Sequence, residues 1–305
     1  MQNNNNGSLS PQSDDKLVTV TTAGDSVKVT ELAYRNTVPR CRKMNKDCCC
    51  DDDGIVHDYK HIENRSQDLK SVRRSLNKLV DIINANVSDS NLSHCRWVTL
   101  TYAENMTNHK RLMDDWGKFC KKARRKWGKF EYIAIKEPQA RGAWHLHVIM
   151  IFESEAPFID NAVLAKKWGN GFVNVRKLTS GVNLGLYFAA SLRDMTKSEA
   201  EIAGIDTAGR KTSSDKKYIK GARLELYPRD IDIFTHSQDI NKPQKETMTK
   251  SQADQLVKDM IKVDEFDTDI TDGEGRRINH LTITRYEEKP VKRPDDGFQE
   301  KSGGG

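Results

Sequence analysis

The chain has 305 residues, with 50 Lys+Arg against 44 Asp+Glu, a formal net charge of +6, and 36% hydrophobic against 31% charged residues. That length suits one good-sized domain with appendages or two small ones, and the polarity sets part of it outside any core. With no run of about 18 apolar residues, no apolar stretch within Met1–Ser13 and too few cysteines for a disulfide scaffold, neither a membrane partner nor secretion is expected, and the reducing cytoplasm is the expected compartment.

Residues 1–56 read as a poorly ordered polar segment, because Asn3–Asn6 and Asp51–Gly54 offer little to bury. A short strand near Val18–Val29 is the element expected there. Residues 57–87 read as a leading helix. Leu69, Val72, Leu76, Leu79, Val80 and Ile83 recur at three- and four-residue steps, with Arg73, Arg74 and Lys78 off the stripe. Arg96–Tyr102, RWVTLTY, is rich in aromatic and β-branched residues and predicts a strand. Asn105 or Thr107 would cap a helix reaching Trp127. Phe130–Lys136 and Trp144–Phe152 predict two more strands around a turn at Pro138–Gly142. A short helix follows at Asp160–Trp168, then a break at Gly169–Gly171 and a strand at Phe172–Val175. Ser180 or Asn183 would begin a helix through Met195, and Ala222–Tyr227 reads as a fifth strand. Residues 241–305 read as a polar acidic tail, in which Leu281 and Ile283 alternate with threonines and suggest one further strand. The order of elements predicts an α+β sandwich over residues 57–240, helices packed on a central mixed or antiparallel sheet.

Charge follows the same division. Residues 57–253 hold 34 basic and 23 acidic side chains, net +11, while both ends are net negative. A basic centre suggests a polyanionic partner, against the plainer reading of a solvated face. The densest stretch includes Lys118, Lys121, Lys122, Arg124, Arg125 and Lys126. With Arg141 these are the expected DNA-contacting residues, and Trp116, Trp127 and Trp144 are candidates to stack on unpaired bases.

The segment Glu137–His147, EPQARGAWHLH, carries the most chemistry. His145 and His147 lie two apart on a predicted strand and so project from one face, with Leu146 and Val148 turned into the core. Two imidazoles on one rigid strand suit two neighbouring positions on a divalent ion. Glu137 ends the preceding strand, and a hairpin through Arg141–Gly142 would bring its carboxylate beside His145. Two imidazoles and a carboxylate with positions left open suit a metal that contacts a phosphate, Mn²⁺ or Mg²⁺. On the helix expected around Tyr187, Leu184, Phe188, Leu192 and Met195 form the apolar stripe, and Tyr187 lies on a more polar face. Its hydroxyl there would be available to attack phosphorus. Cys41 and Cys48–Cys50 lack paired C-x-x-C spacing and read as unligated thiols rather than a zinc site.

In order, VTLTY at Val98–Tyr102, Glu137, the His145-Leu146-His147 triplet, GFVNV at Gly171–Val175 and Tyr187 resemble the HUH endonuclease superfamily. Within it, the chain looks like the rolling-circle replication initiators of small bacterial plasmids and single-stranded DNA phages. The resemblance spans about residues 60–240. It implies a ferredoxin-like, RRM-related sandwich around a central antiparallel sheet. It also implies a nickase in a bacterial cytoplasm that cuts single-stranded or hairpin origin DNA. Tyr187 would keep the 5′-phosphate in a phosphotyrosine intermediate, His145 and His147 with Glu137 would hold the metal, and a later transesterification would religate the strand. Host helicase and polymerase would be the partners, and no nucleotide cofactor is expected, in keeping with the lack of a phosphate-binding G-x-x-x-x-G-K-[ST] loop. One departure stands out. The family usually has Lys three residues after the tyrosine, and here the residue is Ala190. Either Arg193, Lys197 or a basic residue from another segment substitutes, or Tyr218, flanked by Lys216, Lys217 and Lys220, is the nucleophile instead. A non-catalytic single-stranded DNA- or RNA-binding module on the same fold, and a transposase or relaxase with the same chemistry, are the competing readings.

Overall fold

A computed structural model describes residues 16–34, 42–45, 48–51, 54–58, 62–178, 195–205, 218–219, 221–271 and 277–288. In chain order the longer elements are β1 (Leu17–Ala23), β2 (Ser26–Leu32), α1 (Leu69–Asn84), β3 (Cys95–Leu100), α2 (His109–Trp127), β4 (Phe130–Pro138), β5 (Trp144–Phe152), α3 (Asn161–Trp168), β6 (Val173–Lys177), α4 (Lys197–Ile202), β7 (Phe234–His236), β8 (Gln244–Thr249), α5 (Lys250–Val257), β9 (Ile261–Thr271) and β10 (Arg277–Glu287). The fold is α+β, built on antiparallel sheets with helices, as the sequence predicts. Among the described residues no helix is long and apolar enough to cross a membrane. The chain divides into two compact units, residues 37–244 and a second drawn from both ends, residues 1–36 with 245–305.

The larger unit is organised by a five-stranded sheet in the order β7-β4-β5-β3-β6. Its strand pairs are antiparallel, and β4 and β5 form a continuous register from Phe130↔Phe152 to Pro138↔Trp144. Both faces are buried over much of its area. Ile133, Ile135 and Ile149 on one face, and Ala134, Leu146, Val148 and Met150 on the other, are at most 1% exposed. That explains why β5, WHLHVIMIF, is nearly continuous in apolar residues rather than alternating. The apolar stripe of α1 joins the same core through Val72, Leu76, Leu79, Val80 and Ile83. Asp68 starts that helix by accepting from the Ser71 N–H. The helix is shorter than the 57–87 expected from sequence, because a strand at Val56–Asp58 and a 3₁₀ turn at Arg65–Gln67 precede it.

Helix α2 lays Leu112, Trp116, Phe119, Cys120 and Ala123 on the sheet. Trp116 meets Tyr132 edge-on with ring centroids 4.9 Å apart, and the Arg124 guanidinium lies 5.1 Å over the Phe130 ring. Tyr132 and Phe130 alternate with Ile133, Ile135 and Glu137, so α2 covers the face of the sheet that carries Leu146, Val148 and Met150. The helix is capped by Asn108, one residue beyond the predicted Thr107, because the Asn108 carboxamide accepts from the Arg111 N–H. Asp160 and the left-handed Gly169 bound α3 as its sequence suggested. Ala222–Leu226, expected as a strand, is a 3₁₀ helix entered through left-handed Gly221. Its alternation of Ala, Leu and Leu with charged residues suits either state, and the turn at Gly221 decides for the helical one.

The end segments carry more order than polar extensions would. β1 and β2 form a hairpin turning at Gly24 and Asp25, β2 pairs with β10 over Ser26–Leu32, and β9 with β10 forms a second hairpin. The sheet order is β8-β1-β2-β10-β9. Val18, Val20, Val27 and Val29 pack with Ala253 and Val257 of α5, a small core of its own. The strands suggested near Val18–Val29 and at Leu281–Ile283 are both present. Cys48–Cys50 is also a strand, paired with Arg42–Lys43 and Val56–Asp58. Cys48 and Cys50 are free thiols, whereas Cys49, expected as a thiol, is disulfide-bonded.

Candidate metal centre

The β4–β5 hairpin aligns Glu137 opposite His145, as the Gly turn suggests from sequence. The turn closes through the Gly142 N–H donating to the Gln139 carbonyl at 2.7 Å, with Gly142 at φ 87°, a left-handed value that glycine tolerates. The period of two then sets Glu137, His145 and His147 on the face away from α2. Their ligand atoms converge. His145 Nε2 and His147 Nε2 are 3.0 Å apart, and Glu137 Oε2 lies 3.5 Å from the first and 3.1 Å from the second. The three form a group within which all ligand atoms lie within 4.8 Å.

These distances fit a divalent cation. Two ligands at right angles, each about 2.1 Å from an ion, stand about 3.0 Å apart. The 3.0 and 3.1 Å separations match that spacing and the 3.5 Å one is wider, and a three-ligand set of this kind would leave further positions for water or phosphate oxygens. Neutral imidazole is the ligand form. Burial, reinforced by neighbouring His145, pushes the His147 pKa down to about 3, so its lone pair is available at neutral pH.

Residues that local sequence patterns did not single out hold this group in place. The Thr99 hydroxyl sits 3.2 Å from His147 Nδ1, which turns Nε2 toward Glu137. Trp97 stacks on the same imidazole, centroids 5.2 Å apart and planes 24° from parallel. Arg223, from the 3₁₀ helix at Ala222–Leu226, forms an ion pair with Glu137 Oε1, leaving Oε2 directed at both imidazoles. Thr99 lies inside the VTLTY strand, and its register with His147 follows from β3–β5 pairing. Arg223 is 86 residues from Glu137, and no local pattern points to it. The group opens into a cleft of about 470 Å³ lined also by Gln139, Ala140, Arg141 and Ile202.

Arg141 is the one expected DNA-contacting residue at this cleft. Its guanidinium donates to the Tyr102 carbonyl at 3.0 Å and to Gln139 Oε1 at 3.1 Å. Lys118, Lys121, Lys122, Arg124, Arg125 and Lys126 are exposed on α2, across the sheet from the histidines. Of the candidate stacking residues, Trp116 and Trp144 are buried at 2% and 3% exposure, and Trp127 is half-buried. The first two are core residues because the sheet face under α2 needs large apolar side chains. Tyr187, Ala190 and Arg193 lie outside the described residues, and Tyr218 is described only as part of a two-residue strand paired with Met195–Thr196.

Residues 95–196, about a third of the chain, match a family of replication-associated proteins, the ORF2 type. The matched span begins at β3 and contains Glu137, His145 and His147. No curated protein and no solved structure matches the chain. The match supports a replication-associated role and is consistent with a replication initiator.

Proposed function

We propose that the protein is a rolling-circle replication initiator that nicks single-stranded origin DNA with a tyrosine nucleophile and the help of a divalent metal. The observation that carries this reading is the Glu137–His145–His147 triangle, open to a cleft and contained in the segment similar to replication-associated proteins. His145 Nε2, His147 Nε2 and Glu137 Oε2 would hold Mn²⁺ or Mg²⁺. When bound, the ion neutralises charge building on a non-bridging phosphate oxygen.

The chain's own groups supply the rest. Thr99 and Arg223 keep the three ligands aimed at one point. Arg141 at the rim is placed to attract the phosphate backbone to the cleft. Tyr187 is the proposed nucleophile. Its phenolic oxygen bonds to phosphorus as it gives up its proton, the bond from phosphorus to the 3′-oxygen breaks, and that oxygen leaves as a hydroxyl after taking a proton. The 5′-phosphate stays on the tyrosine. One phosphodiester replaces another, so religation by the reverse attack needs no nucleotide cofactor. The primer end and the displaced strand would then pass to host polymerase and helicase.

The test is incubation with single-stranded origin DNA and Mn²⁺. An SDS-resistant protein–DNA adduct is expected, lost with chelator, in His145→Ala and in Tyr187→Phe. An adduct that survives Tyr187→Phe and vanishes in Tyr218→Phe moves the nucleophile to Tyr218. Ala190, where the resembled family has Lys, favours one second reading, a single-strand-binding module without cleavage. Binding that ignores chelator and His145→Ala, with no adduct under any metal, would replace the nickase reading with that one.

A further inference from the structure

From Lys118 to Lys126, nine residues hold six cations and no carboxylate, and all six side chains are exposed. The helix dipole accounts for Arg124, Arg125 and Lys126 in the last turn of α2. It does not account for Lys121 and Lys122, whereas Lys118 pairs with the Asp115 carboxylate at 3.5 Å. Lys118/Lys122, Lys121/Arg125 and Lys122/Lys126 repeat at four-residue spacing, which places like charges side by side and destabilises a helix on its own. Neighbouring α3 adds exposed Lys166, and Lys122 donates to the Lys167 carbonyl at 3.3 Å, so the patch extends over two helices.

This patch is far from the metal centre in two directions. It lies on the other face of the sheet, since α2 packs against Tyr132 and Phe130 while Glu137, His145 and His147 face away. Arg124 sits by Phe130 at the start of β4 and Glu137 is seven residues on, roughly 24 Å along the strand. One short unpaired strand seated in the cleft does not meet both.

We propose that the outward face of α2, centred on Lys121, Arg125 and Lys126, is a second nucleic-acid surface that holds the backbone of double-stranded DNA flanking the strand that enters the cleft. The identity of the polyanion rests on the nickase reading; the existence of the surface rests on charge and placement. The chemistry favours a duplex over a single strand. Trp116 and Phe119 of α2 are buried in the core and Trp127, at its end, is partly buried against that core, so the helix presents no row of exposed aromatics for successive bases to stack on. A rigid row of cations roughly 13 Å long instead matches successive phosphates on a regular backbone.

The experiment is binding of the full chain to a blunt duplex of about two helical turns, in EDTA, by fluorescence anisotropy across a salt series. Lys121→Gln/Arg125→Gln/Lys126→Gln should weaken binding at least about tenfold and lower the slope of log affinity against log salt by about 2.7, the loss of three phosphate contacts. The charge-preserving Lys121→Arg/Arg125→Lys/Lys126→Arg should bind as the parent does. An unchanged slope in the Gln variant overturns the proposal. So does an equal loss on a single strand of the same length, or binding to phosphatidylserine-containing vesicles in place of duplex. No cleavage or metal enters this measurement, so failure of the covalent adduct would sink the nickase reading and leave the duplex result standing.

Discussion

At the scale of single residues, the Glu137–His145–His147 group depends on side chains that are not among its three candidate ligands. Arg223 fixes one oxygen of Glu137 and Thr99 fixes the back of His147. Outer contacts of this kind set ligand orientation, and their loss weakens metal binding by about 10- to 100-fold. Arg223→Ala should therefore lower Mn²⁺ affinity by that order in calorimetric titration, with Arg223→Lys in between because it keeps the charge and loses the planar fork. Equal affinities in all three proteins would remove Arg223 from the centre. A second residue on the α2 side reports on stability. Burial, and then the charge of Lys136 beside it, hold the His109 imidazole below its ordinary value, partly offset by Asp232. The unfolded chain then takes up the proton first, so stability falls as pH drops through the ordinary histidine range toward the lower folded value. In His109→Gln, melting temperature should decline less steeply than in the parent between about pH 7 and pH 5. Parallel declines would show that His109 carries none of it. His145 and His147 were legible from spacing alone, since period two puts both on one face. Arg223 was not, because its contact with Glu137 is made only by the folded chain.

At the scale of elements, the β4–β5 hairpin does most to build the site, and its register was legible because a Gly turn and a strand period determine it together. Close packing beside it is a matter of backbone approach. A Cβ on Gly171 would stand 2.5 Å from the Ala103 nitrogen and 2.7 Å from the Thr101 carbonyl oxygen, and both are backbone. Gly171→Ala should destabilise the protein by about 1–3 kcal/mol, read as a lower melting temperature, and should disturb the strand that carries Thr99. A melting temperature equal to the parent's would mean that the Gly169–Phe172 connection shifts freely. The elements that sequence patterns mistook are short ones. The 3₁₀ helix at Ala222–Leu226 has too few residues for a period to show, and its state follows from Gly221 and from the Tyr227 hydroxyl donating to the buried Lys136 carbonyl.

At the scale of the whole molecule, segments near the two ends of the chain meet in one sheet. β2 pairs with β10 and β1 with β2, so the hairpin at Leu17–Leu32 is completed by residues some 250 positions later. An isolated two-stranded hairpin is marginal in water, and the valines of β1 and β2 rely on Ala253 and Val257 for cover. A chain truncated after residue 244 should therefore lose amide-exchange protection across Leu17–Leu32 while Cys95–Phe152 keeps it. Retained protection at Leu17–Leu32 would show that the hairpin stands without its partners.

Local patterns along the chain were enough for the α+β class, the long strands and helices between 69 and 177, and the pairing of His145 with His147 and Glu137. Those features rest on periodicity and turn chemistry, which act over a few residues. Folding in three dimensions was needed to show that Arg223 and Thr99 attend Glu137 and His147, that segments near both ends form a sheet, and that the cations of α2 lie across the sheet from the histidines. Each is a contact or a side chosen between segments far apart in the chain, and no local pattern encodes which face of a sheet a helix will cover.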